Sequence, residues 1–171
     1  DTKGVHNVAI GYLALDAQNF TTTTNTYNIA IGSSAGGAVT TGVRNTLVGG
    51  LAGDALTDAD DNVAMGTSAL TTDTLGSRSV AIGKESLAVQ NFTTATNSHN
   101  TAVGAFSGNA VTTGTRNTLI GALAGAALTD ADYNIALGYV SLTADTLGSR
   151  STALGYSALN AQNFTTATDT Y

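Results

Sequence analysis

Asn62-Val63-Ala64-Met65-Gly66, Ser79-Val80-Ala81-Ile82-Gly83 and Asn100-Thr101-Ala102-Val103-Gly104 are consecutive copies of one five-residue unit, and the fold follows from how often it returns. The unit occurs nine times, ending on Gly11, Gly32, Gly49, Gly66, Gly83, Gly104, Gly121, Gly138 and Gly155. Successive glycines lie 17 or 21 residues apart, and four units close a super-repeat of 72 residues, Gly11 to Gly83 and again Gly83 to Gly155. A fixed period of this kind marks a stacked array, in which each repeat buries apolar surface against its neighbours. Residues 1–171 are therefore one repeat array, and because it starts inside a repeat it reads as an excerpt of a longer fibre.

Each unit reads as a short strand. The residue before the glycine is always aliphatic (Ile10, Ile31, Val48, Met65, Ile82, Val103, Ile120, Leu137, Leu154), and the residue three before it is always Val, Ile or Thr. Side chains alternate across a strand, so these two positions share one face, and their shapes suit a buried, pleated surface. The glycine permits a corner at positive φ. A small Ala or Ser follows three residues later, then Leu or Gly, which predicts a second short strand before a polar loop returns the chain. The expected fold is all-β: a parallel β-solenoid of nine stacked coils, roughly 40 Å long at the usual strand spacing.

The residue two before the glycine faces the other way: Ala9, Ala30, Leu47, Ala64, Ala81, Ala102, Leu119, Ala136 and Ala153. Solvent-facing strand positions drift to polar residues, so this column predicts a second buried face packed against another copy of the chain, the alternative being that Ala merely tolerates exposure there. Asn stands four before the glycine in seven of the nine units, with Ser79 and Ser151 in the others. That column predicts amide ladders along the stack, not a catalytic row.

Composition narrows the function. Net charge is -6 with only six Lys and Arg, which opposes nucleic-acid binding. There is no Cys, so neither disulfides nor thiolate metal sites arise. No apolar run reaches the roughly 18–20 residues of a membrane helix. No cofactor is implied.

The units, above all Ser79-Val80-Ala81-Ile82-Gly83-Lys84-Glu85-Ser86, resemble the head repeats of YadA-like trimeric autotransporter adhesins. They are also similar to repeats of bacteriophage tail fibres. The resemblance runs through all nine units, although these coils are longer than is usual in that family. It implies a left-handed β-roll, a side-by-side homotrimer, and an extracellular fibre on a bacterial surface or virion that attaches to a host receptor, matrix protein or glycan. No part of this segment is expected to enter a membrane.

Candidate contact residues lie in the four-residue insertions of every fourth coil: Asn19-Phe20-Thr21, Asn91-Phe92-Thr93 and Asn163-Phe164-Thr165. Loops on a rigid scaffold commonly carry binding; the alternative is that the three Phe fold back and cap an apolar gap. Asn-Phe-Thr also fits the N-glycosylation pattern. A further column, five before the glycine, reads His6, Tyr27, Arg44, Asp61, Arg78, His99, Arg116, Tyr133 and Arg150, which suggests alternating charges up the stack. The acidic loops Leu56–Asp61 and Leu128–Asp132 are too short to supply the six to eight oxygens of a calcium site and read as solvated turns.

Four functions compete. An adhesive or structural fibre module fits best. A passive spacer without its own ligand is the nearest rival. Ice binding would need Thr at the same place in every coil, whereas Thr40-Thr41 and Thr71-Thr72 fall in loops. A hexapeptide acyltransferase needs a six-residue period, which 17 does not contain, so no enzyme is expected.

Overall fold

A computed structural model describes residues 3–170. Nine three-residue strands form one all-parallel sheet: β2 (Val8–Ile10), β4 (Ile29–Ile31), β5 (Thr46–Val48), β6 (Val63–Met65), β8 (Val80–Ile82), β10 (Thr101–Val103), β11 (Thr118–Ile120), β12 (Ile135–Leu137) and β14 (Thr152–Leu154). Each pairs with the strand of the next coil in matching register, as in Ala64↔Ala81 and Ala81↔Ala102. The chain is thus a parallel β-solenoid, with one strand of the sheet per coil. Three two-residue pairs occur only beside the longer coils: β1 (Gly4–Val5) with β3 (Thr24–Asn25), β7 (Gly76–Ser77) with β9 (Thr96–Asn97), and β13 (Gly148–Ser149) with β15 (Thr168–Asp169).

The second strand expected after each glycine does not form. Those residues run through consecutive turns, because two more positions of every coil take left-handed backbone angles. At Gly49 φ is +135°, at Leu51 +59° and at Gly53 +56°. A strand cannot continue through such angles. The glycine ending each of the first eight units is required twice over, by its positive φ and by space: a Cβ on Gly49 would lie 2.6 Å from the Gly66 carbonyl oxygen of the next coil.

The structure reverses the expected inside and outside of the strand. Ala30, Leu47, Ala64, Ala81, Ala102, Leu119, Ala136 and Ala153 line the interior of their own coil, at 0–1% exposure in the single chain. Only Ala9, in the first coil, is exposed. This column therefore cannot be the subunit boundary expected from the sequence. The Val, Ile and Thr column and the aliphatic column beside the glycine point outward instead. The reason is volume. The inward residue meets the small column three after the glycine (Ala35, Ala52, Ala69, Ser86, Ser107, Ala124), which is also fully buried, so a narrow coil has room for little more than Ala. Leu47 and Leu119 fit because Gly36 and Gly53, and Gly108 and Gly125, leave space beside them. A Cβ on Gly53 would stand 2.8 Å from Leu47 Cδ2. Coils without those glycines place Leu70, Leu87 or Leu142 there and keep Ala on the strand.

A third inner column comes from the return loop. It reads Val39 and Leu56, then Asp73 and Gln90, then Val111 and Leu128, then Asp145, and these seven are fully buried. Beside it runs the Asn column, also at 0% from Asn28 to Asn134. Asn45 donates its main-chain N–H to Asn28 Oδ1 at 2.9 Å and its Nδ2 to the Ala59 carbonyl at 2.7 Å. Asn117 repeats both bonds, to Asn100 and Ala131. The ladder is thus amide to backbone, with longer amide-to-amide contacts of 3.4 and 3.3 Å at only two steps. It satisfies buried main-chain groups that the corners would otherwise leave unpaired.

Candidate interaction surfaces

A continuous apolar surface runs along the outer face of the nine-stranded sheet. It carries 18 outward side chains, two per strand, all Val, Ile, Leu, Met or Thr and none charged. Every one is exposed or half-buried: Ile29 and Ile31 are each 37% exposed, Met65 40% and Ile135 47%. Single exposed hydrophobes need no explanation, but an unbroken stripe along a whole solenoid does. Tyr12, Tyr139 and Tyr156, next to the glycine, widen the stripe on one side, and Tyr139 stacks on Tyr156 with centroids 5.9 Å apart.

On its other side runs the column of alternating charges and rings. All nine of its residues have φ between 50° and 67°, which turns their side chains out at a corner. Arg44 binds Asp61 through two nitrogens, the Nη2–Oδ2 bond being 3.1 Å, and Arg78 stands 4.0 Å from the same carboxylate. The Arg44 hydrogen bond, with the Arg44 and Arg78 charges behind it, holds the Asp61 carboxyl below its ordinary value. One super-repeat later Tyr133 replaces the acid, with Arg116 and Arg150 each 5.2 Å from its ring centroid. His6 stacks on Tyr27 at 5.0 Å. In the first half opposite charges meet within the column; in the second, Arg116 and Arg150 make cation–π contacts with Tyr133, and Arg150 also pairs with Asp169 at 3.1 Å.

The insertion loops divide between the two alternatives. Phe20 and Phe92 turn inward, at 8% and 6% exposure, and Phe164 is half-buried. Asn19, Asn163, Thr21, Thr93 and Thr165 are exposed, and Asn91 is half-buried. The Phe residues therefore anchor the loops, and only Asn and Thr are presented. Stacking puts the three loops on one edge at every fourth coil, about 19 Å apart, so they make three separate patches and not one site.

The acidic loop spends its carboxylates internally. Asp58 accepts from Thr41 Oγ1 at 2.6 Å, Asp60 from the Val43 N–H at 2.8 Å, and Asp61 from Arg44. Among the described residues no group of three or more His, Cys, Asp or Glu is placed to hold a metal ion. A cavity of about 260 Å³ at the C-terminal end is lined by Arg150, Ser151, Thr152, Leu159, Gln162 and Thr170. One super-repeat earlier the coil of Asn100 covers the matching residues Ser79, Gln90 and Ser98, all fully buried. The cavity is stacking space. No helix among the described residues is long and apolar enough to cross a membrane.

Sequence reading passed over one cluster, Asp73 with Gln90 and its copy Asp145 with Gln162. The available signal was two polar residues spaced 17 apart where the other coils carry Val and Leu. Comparison with protein-family models, with curated proteins and with solved structures gives no match to this chain.

Proposed function

We propose that this chain is a structural and adhesive module of an extracellular trimeric fibre, a surface-adhesin head or a phage tail-fibre segment. Three copies, each coiled left-handed, lie side by side with the outer sheet faces turned towards one another. The observation that carries this reading is the uncharged stripe of 18 outward side chains, which extends the full length of the sheet. A second copy supplies an equally long stripe with the same coil spacing, so each Val or Ile row meets a row of its own kind. Burial of apolar surface at about 25 cal/mol per Å² then favours association. The flanking columns add ring and charge contacts at the seam, and the insertion loops remain on the free edge, where a receptor, matrix protein or glycan would reach them. The reading assigns no catalytic residue.

A second reading, a passive spacer, is favoured by the buried Phe20 and Phe92, which leave little of each loop presented. Binding assays separate the two. Beads coated with the fibre are offered to candidate host cells, alone and with Thr21→Ala, Thr93→Ala and Thr165→Ala combined. Binding by the parent that drops at least tenfold in the variant supports display. Equal binding by both, or by neither, supports the spacer.

A further inference from the structure

Every fourth coil holds four additional residues, and something must fix where they leave the stack. In the coil of β8, both feet of the insertion meet one buried polar cluster. Asp73 Oδ1 accepts the main-chain N–H of Gly76 and of Phe92, each at 3.0 Å. Asp73 Oδ2 accepts Gln90 Nε2 at 2.6 Å. Gln90 Nε2 also donates to Ser79 Oγ at 2.8 Å, and Ser79 Oγ lies 2.6 Å from Ser98 Oγ at the far foot. Gln90 Oε1 accepts Asn100 Nδ2 at 2.8 Å. Thr74 Oγ1 clasps the near foot from outside, through Asn91 Oδ1 and the Phe92 carbonyl.

We infer that the Asp73–Gln90 pair is a latch, which sets the point at which the chain departs from the coil and holds the Asn-Phe-Thr loop in one position. The inference does not depend on whether that loop binds anything. Asp73, Gln90, Ser79 and Ser98 are fully buried, and a buried carboxylate persists where its acceptor capacity is filled. Here two main-chain donors from adjacent coils, Gly76 and the near foot of the insertion at Phe92, converge on one oxygen, which neither Leu56 nor Val39, at the same inner position of ordinary coils, could offer. The two exceptions in the Asn column lie against these glutamines, Gln90 Nε2 donating to Ser79 Oγ and Gln162 Nε2 to Ser151 Oγ, each at 2.8 Å, whereas in the first coil an Asn stands there and Asn7 Nδ2 donates to Gln18 Oε1. The second copy matches: Asp145 Oδ2 accepts Gln162 Nε2 at 2.6 Å, and Asp145 Oδ1 accepts Gly148 and Phe164, each at 3.0 Å.

The test exchanges donor and acceptor across the pair. Asp73→Asn sets two N–H₂ groups face to face, and Gln90→Glu sets two carboxylates face to face. The double variant restores one donor opposite one acceptor while leaving the oxygens that bind Phe92 and Asn100. Amide hydrogen exchange is followed residue by residue. Each single variant is expected to speed exchange at Gly76, Phe92 and Ser98 roughly tenfold or more, with Thr46–Val48 unchanged, and the double variant to recover most of the protection. A single variant too unstable to purify, beside a double variant that folds, supports the same conclusion. Unchanged loop exchange in the single variants, or a double variant no better protected than they are, overturns it.

Discussion

The two faces of the nine-stranded sheet are both apolar, yet they do different work. The inner face holds Ala with an occasional Leu matched to glycine gaps, and nothing larger enters. The outer face holds Val, Ile, Leu, Met and Thr, whereas the inward strand position of the same coils admits Ala unless glycines open space beside it. Hydrophobicity alone does not distinguish the two, whereas volume does. A small residue inside is a packing constraint within one chain, and a large one outside is what the proposed association would cover.

Substitutions on neighbouring residues of one strand should separate these roles. The largest effect is expected for Ala81→Glu, which forces a charge into a fully buried site and should cost several kcal/mol. Circular dichroism should show loss of the cooperative thermal transition at any protein concentration. Next is the Leu–Gly match: Leu119→Ala should destabilise by about 2–5 kcal/mol. Gly125→Ala should also destabilise, because its Cβ would lie 2.7 Å from Leu119 Cδ2 at a φ of +58°. Combined, they should cost less than the sum of their effects in thermal denaturation, since the cavity receives the added methyl.

Ile82→Asp sharpens the contrast from the other side. Its side chain is half-buried in the single chain, so the coil should keep its far-UV spectrum while losing association. The smallest effect lies in the charged column. Asp61 has its pKa lowered by Arg44, so its contribution is present at neutral pH and is lost as pH falls through and below the ordinary carboxylate range. Because the pair is exposed, Asp61→Asn should cost no more than about 1 kcal/mol at pH 7, and the difference from the parent should vanish in acid.

Much of this fold is legible in the sequence. The glycine spacing gives the coils, alternation gives the strands, and the recurring Asn gives the ladder. The direction of each face was also available, though through an indirect sign. Asn stands two residues from the Ala or Leu column, hence on the same face, and a stacked amide ladder belongs where water is absent. Taking the β-branched residues as the core hid that link, because their usual preference for buried strands was weighed without the size of the coil. The turns after the glycine were less legible, since left-handed angles at Leu13, Leu51 and Leu123 are imposed by stacking and not by residue type. The Asp73–Gln90 latch was hidden for another reason: its partners lie 3 to 19 residues apart along the chain and meet only across coils.

Association through the outer face of the sheet should be visible in the molar mass of the purified chain, measured by light scattering. The parent should have three times the 17.0 kDa chain mass, and Ile82→Asp should return it to a folded species of single mass. A folded parent of single mass at micromolar concentration, its apolar stripe open to water, would contradict that association.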